Sequence, residues 1–277
     1  MFFKKRKKYK TIQVGAYKLI ANSEHPLETY LKTYKYYSRN FPRIAKLIER
    51  KYAVFSIIDV GANIGDTVAL LRSENITQMI HAIEGNPFYF EIMQSNLKQF
   101  RNVKSYLTLL GDESKAEYLS IEAGEGTGKV RASAEKTQTC TLDDLITSDN
   151  ITDVKLLKTD TDGFDFKIIR GGLNFIELNK PILFFEYDAI FLEEQNDDGI
   201  TLFKQLQNYG YNFCIFYDNY GKMLLSLSVK DIEKIQQLYA YMRKREGAFE
   251  YFDVCVFHTS DNDLAEMIIE EEMKFFH

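Results

Sequence analysis

Three stretches place carboxylates and glycines in short polar runs that follow apolar ones. They are Asp59-Val60-Gly61-Ala62-Asn63-Ile64-Gly65-Asp66, Glu84-Gly85-Asn86-Pro87, and Lys158-Thr159-Asp160-Thr161-Asp162-Gly163-Phe164-Asp165. Glycines after a buried strand let the backbone approach a ligand closely, and the first such turn of an open α/β sheet is the usual cofactor cradle. The dinucleotide fingerprint G-x-G-x-x-G needs glycines two and five positions after Gly61, where this chain has Asn63 and Asp66. Acidic Asp59 and Asp66 around the turn suit a cationic ligand better than a pyrophosphate, which wants bare amides at a helix N-terminus. S-adenosylmethionine, with its amino group and sulfonium, fits that description.

Glu84 falls about 20 residues after the glycine turn, where a carboxylate can accept from two adjacent ribose hydroxyls; capping the following helix is its competing role. Leu110-Gly111-Asp112 repeats the strand-then-acid theme, and Asp112 is the candidate acceptor for the exocyclic amine of adenine. Three carboxylates between Asp160 and Asp165 repel one another, a cost that a purely structural account must explain. Asp160 is the candidate general base or orienter for an incoming hydroxyl, with Asp162 second and Lys158 beside them. An EF-hand reading fails, because loop positions 1 and 12 would be Lys158 and Ile169. A divalent ion held by Asp160 and Asp162 stays an alternative. Ala123 to Val130 nearly spells a P-loop, but Val130 stands where a hydroxyl must reach magnesium, so the segment reads as a glycine-rich loop.

Positioning these groups requires strands that end where the motifs begin. Near-continuous apolar runs at Val54–Val60, Met79–Ile83, Val103–Leu110, Val154–Leu157 and Ile182–Phe185 alternate with helical spacing at Gly65–Ser73, Pro87–Phe100 and Phe164–Arg170. That is the pattern of a parallel sheet buried on both faces, and it predicts a doubly wound, mostly parallel α/β fold. Helix Ile200–Tyr209, strand Tyr211–Tyr217, the stripe Ile232, Ile235, Tyr239, Met242, strand Phe252–Phe257 and an acidic helix from Leu264 complete it. Ahead of the sheet, Leu27 to Phe41 reads as one amphipathic helix between Pro26 and Pro42, with a second over Arg43–Lys51. Its stripe of Tyr30, Tyr34 and Tyr37 is suited to packing or to stacking on a sugar. Residues 1–50 are thus a basic tail with a helical cap, and 51–277 one catalytic domain.

Composition bounds the rest. With 35 Lys and Arg against 40 Asp and Glu, a net charge of −5 supplies no global positive field for nucleic acid. Three widely spaced cysteines without a CxxC suggest neither a disulfide framework nor a zinc site, and point to the cytoplasm. No apolar run approaches the ~20 residues of a membrane span. Phe2 and Phe3 followed by Lys4, Lys5, Arg6, Lys7 and Lys8 form no signal peptide and at most a weak contact with an anionic membrane surface.

With these motifs in order, the chain resembles the FkbM-type family of S-adenosylmethionine-dependent methyltransferases. The likeness rests on DVGANIGD at Asp59–Asp66, EGNP at Glu84–Pro87, TCTLDDL at Thr139–Leu145, LLKTDTDG at Leu156–Gly163 and the closing Glu186. It implies a doubly wound methyltransferase sheet and O-methylation of a hydroxyl on a sugar of a glycan or glycosylated metabolite. The implied cofactor set is Asp59, Gly61, Asn63, Gly65, Asp66, Glu84, Asn86 and Asp112, and the catalytic set Asp160, Asp162 and Lys158. The family usually carries glutamates where this chain has Asp162 and Asp165, which shortens each reach by a methylene. The competing readings are an NAD-linked sugar-modifying enzyme and a non-catalytic glycan-binding module on the same fold.

Overall fold

The computed structural model describes residues 9–124, 126, 128–244 and 249–276. The basic run Lys4 to Lys8 lies outside them, as do residues 125 and 127 of the near-P-loop segment.

A hairpin of β1 (Tyr9–Val14) and β2 (Tyr17–Asn22) comes first, then α1 (Leu27–Thr33) and α2 (Asn40–Lys51). The core begins with β3 (Ser56–Val60), α3 (Asp66–Ser73), β4 (Met79–Glu84), α4 (Pro87–Leu97) and β5 (Val103–Leu107). Next, β6 (Leu109–Gly111), β7 (Ala116–Ala123) and β8 (Gly128–Thr141) form a small sheet of their own, followed by α5 (Leu142–Ser148). The chain returns through β9 (Val154–Thr159), α6 (Asp165–Arg170), α7 (Leu173–Asn179), β10 (Ile182–Tyr187), α8 (Ala189–Glu194) and α9 (Thr201–Asn208). It closes with β11 (Tyr211–Asp218), β12 (Met223–Ser228), α10 (Ile232–Met242), β13 (Phe252–His258) and α11 (Asn262–Phe275).

The main sheet runs β5-β4-β3-β9-β10-β13-β11-β12. Pairing is parallel from β5 to β10, and β13 is inserted antiparallel to both β10 and β11. The expected doubly wound, mostly parallel α/β fold is therefore present. Strand side chains alternate between two layers. Ile57, Leu156, Ile182 and Phe184 pack under α2, α3 and α11, while Ile58, Leu157, Leu183 and Phe185 pack against α6, α9 and α10. From β3 the chain first winds toward β5 and later crosses back to β9, so order reverses between β3 and β9. That is the switch point where ligands bind in open α/β sheets.

Ahead of its helices the N-terminal segment carries the hairpin, absent from the helical-cap reading. Its signal is a period-2 pattern: Ile12, Val14, Leu19 and Ala21 are buried against Leu70, Tyr89 and Ile92. The single helix expected over Leu27–Phe41 is two. The first ends at Thr33, where Tyr34 turns extended at φ −115° and ψ 101°, and α2 starts at Asn40, with Pro42 inside its first turn. A first-turn N–H has no intrahelical partner, so proline costs nothing there. The strand expected over Val103–Leu110 breaks after Leu107, and Leu109–Gly111 leaves the main sheet to pair with Thr139–Thr141. Among the described residues no helix is long and apolar enough to cross a membrane.

Candidate active site

Gly61, with φ +79°, ends β3 at the switch point; a Cβ there would stand 2.0 Å from the carbonyl oxygen of Asp160. Only glycine allows the two strand ends to close this tightly, and the Asp160 N–H donates to the Val60 carbonyl across the same gap at 3.1 Å. Asn63 also takes a positive φ, of 50°. Its N–H donates to Glu84 Oε2 at 2.8 Å, while the Asn86 N–H donates to Oε1 at 2.7 Å. Glu84 is thereby fixed at the end of β4. Burial pushes its carboxyl up, opposed by the backbone N–H groups of Asn86, Asn63 and Gly85.

Two chambers open at this point and share Gly61, Asn63, Asp160 and Asp162 as a common wall. The first, about 540 Å³, has Glu84 over an apolar lining of Ile83, Leu109, Leu110, Phe164 and Ile168. The second, about 940 Å³, holds Asp66, Lys158, Asp160, Glu186 and Asp188 together with Tyr30, Tyr37 and Tyr251.

Lys158 anchors the second chamber from below. Parallel register sets it opposite Asp59 on β3, and its Nζ stands 3.4 Å from Asp59 Oδ1 and 3.0 Å from Asp160 Oδ2. Burial works against its charge, but the carboxylates of Asp160 and Asp59 outweigh it and hold Lys158 protonated, above its ordinary range. Asp59 is fully buried and Asp160 has a 55% exposed side chain, so the lysine ties a hidden carboxylate to an accessible one. Burial pushes Asp59 and Asp66 up to about 6, with Lys158 pulling both back. Asp165, fully buried at the start of α6, is pushed up to about 7 by burial, with the hydroxyls of Thr159 and Thr161 opposing the shift. Glu186 is raised well above its ordinary range by burial and then by Asp160 and Asp162.

The structure brings Gly61, Asn63, Asp66, Glu84, Lys158, Asp160 and Asp162 to the chamber walls. Four other candidates sit elsewhere. Asp59 lies beneath the floor with Lys158. Gly65, at φ +85°, is the N-cap of α3 and approaches Leu97 and Met93. Asn86 is the N-cap of α4, its Oδ1 accepting from Phe88 and Tyr89 N–H, so the capping role weighed for Glu84 falls to its neighbour. Asp112 is exposed beyond β6, because the break after Leu107 carries it off the main sheet. Thr108 and Leu109 line the first chamber in its place.

Several lining residues were not singled out by sequence. His25, kept below its ordinary range by burial, sits with Nε2 3.1 Å from Asn63 Oδ1. Asn63 Nδ2 donates to the Gly126 carbonyl at 2.7 Å, and the Tyr89 hydroxyl donates to the Gly124 carbonyl at 2.9 Å. Gly124 and Gly126 are thus held beside the shared wall. Glu250 and Tyr251 arrive from a distant part of the chain with no motif to mark them. Among the described residues no three His, Cys, Asp or Glu side chains converge as metal ligands.

A doubly wound sheet with a glycine turn, an acid at the end of the neighbouring strand and a polar chamber beside it is the arrangement in which open α/β sheets hold nucleotide-type cofactors. Residues 59–213 match the family model of the methyltransferase FkbM domain, and the chain belongs to that family of methyltransferases. No curated protein matches the chain. Among solved structures it is similar to a methyltransferase FkbM from Methylobacillus flagellatus KT, at 16% identity and TM-score 0.41, over 58% of this chain and 40% of that one. The chain therefore spans less than half the length of that relative. It is also similar to a TehB-like SAM-dependent methyltransferase from Corynebacterium glutamicum, at 12% identity and TM-score 0.40, over 80% of this chain and 87% of that one.

Proposed function

We propose that this methyltransferase uses S-adenosylmethionine and methylates a hydroxyl of a sugar, in a glycan or a glycosylated metabolite. The observation that carries the reading is the junction of the two chambers at Asp160: an apolar slot with one fixed acid meets a polar vestibule there. A carboxylate has about four lone-pair sites. Backbone N–H groups of Asn63 and Asn86 hold the two Glu84 oxygens in place, and the lone-pair sites that remain suit the ribose hydroxyls. Ile83, Leu109, Leu110, Phe164 and Ile168 suit the faces of an adenine ring. Asp66, in the second chamber beside the turn, suits the amino group of the methionine moiety.

When bound, S-adenosylmethionine supplies an electrophilic methyl group on a sulfonium. The chain's own task is to hold the acceptor oxygen in line with that methyl, which can contribute roughly 7–11 kcal/mol, and to take its proton. Asp160 is the base: it is the exposed carboxylate of the shared wall, and Lys158 orients it at 3.0 Å. Asp162, at φ 49° in the same wall, is the second candidate. The tyrosines of the vestibule favour the apolar face of a sugar ring.

The test is calorimetric titration of the protein with S-adenosylhomocysteine, NAD and ATP. The expected result is micromolar binding of the first alone, weakened about 100-fold, or ~2.7 kcal/mol, in Glu84→Ala. Absence of S-adenosylhomocysteine binding, or tighter binding of NAD, would overturn the reading.

A further inference from the structure

The second chamber is not uniformly explained by its cofactor role. Glu186, Asp188 and Glu250 line it without touching the first chamber. Glu186 is 8% exposed, and its Oε2 accepts no hydrogen bond. In register it faces Asp253 of β13, so no cation answers it from the adjoining strand. Among the described lining residues Lys158 is the cation, and it is already committed to Asp59 and Asp160. Burial keeps the nearby His25 toward its neutral form. Glu186 is therefore a buried acceptor that no cation among the described lining residues answers, and Tyr30 and Tyr37 lie on the same wall with ring centroids 5.2 Å apart, tilted at 47°.

A neutral hydroxyl can donate to Glu186 but brings no charge to answer a buried carboxylate. An ammonium has three donors and no acceptor, relieves the crowding of carboxylates, and is favoured over tyrosine faces. A metal ion would need three converging ligands, which the described residues do not provide.

Building on the methyl-transfer reading, we propose that the acceptor carries a protonated amine near its reacting hydroxyl, as an amino sugar does, and that Glu186 receives that ammonium. The experiment uses the full chain saturated with S-adenosylhomocysteine, titrated in a calorimeter with three disaccharides of matched linkage. These are chitobiose, which has free amines, N,N′-diacetylchitobiose and cellobiose. Chitobiose is expected to bind at least tenfold more tightly than either neutral sugar, and Glu186→Gln to abolish that preference while S-adenosylhomocysteine affinity stays within twofold. Equal or tighter binding of a neutral sugar, binding of none, or a preference that survives in a folded Glu186→Gln overturns the proposal. If the variant does not fold, the wild-type comparison decides alone. Failure to bind S-adenosylhomocysteine at the outset would instead sink the methyl-transfer reading.

Discussion

The two chambers meet at one wall yet are built in opposite ways. The first draws mainly on turns that directly follow β3, β4, β5 and β9, each a short run of adjacent residues. The second gathers His25 and Tyr30 from the N-terminal segment, Gly126 from the small sheet, Glu186 from β10 and Tyr251 from the approach to β13. The first sets the fixed Glu84 beside an apolar group of Ile83, Leu109, Leu110, Phe164 and Ile168 and has no lysine, whereas the second concentrates carboxylates around one lysine. A cofactor pocket can be encoded strand end by strand end, while an acceptor pocket here depends on the whole fold closing correctly.

Three substitutions sharpen or break that contrast. Lys158→Met should have the largest effect, because it leaves fully buried Asp59 without its cation. Removing one partner of a buried pair costs about 3–5 kcal/mol, to be read by urea denaturation, and Asp59→Asn in the same chain should restore much of it. If Lys158→Met were neutral, the lysine would not be organising the second chamber.

Asp160→Asn comes next. It should lower kcat about 100-fold or more while leaving S-adenosylhomocysteine affinity unchanged, separating the chemistry of the wall from ligand binding in the first chamber. Full turnover in this variant would remove Asp160 from the role of base.

Asp165→Asn should act on neither chamber but on stability against pH. Its carboxyl is pushed up to about 7 by burial, so the folded state keeps a proton that the unfolded chain loses near pH 4. The folded state then binds more protons between these values, and stability falls as pH rises from about 4 to 7. The variant should lose less stability than wild type over that range, by about 3 kcal/mol. Parallel Tm curves for the two proteins would show that Asp165 is ionised in the fold.

Legibility in the sequence followed the same division. The run Asp59–Asp66 announces a tight βα turn because only glycine tolerates the approach at Gly61, and Glu84 follows at the expected strand end. Asn86 shows the limit of a motif: the same residue could bind a ligand or cap α4, and its Oδ1 is spent on two helix N–H groups. Asp112 shows another, since nothing local marks where β5 ends and β6 departs for another sheet. The hairpin of β1 and β2 was readable in principle from Ile12, Val14, Leu19 and Ala21, but a basic, tyrosine-rich context masks that alternation.

The sequence by itself determined the alternation of buried strands and helices, the glycine turn and the acids at the strand ends, because each depends on backbone sterics and hydrophobic period within about ten residues. Only the tertiary structure decided that Lys158 joins Asp59 to Asp160, that His25 and Gly126 meet at Asn63, and that Glu186 faces Asp253. Those contacts arise from strand order and register, and their energies come from burial and charge placed together by folding. No local rule carries that information.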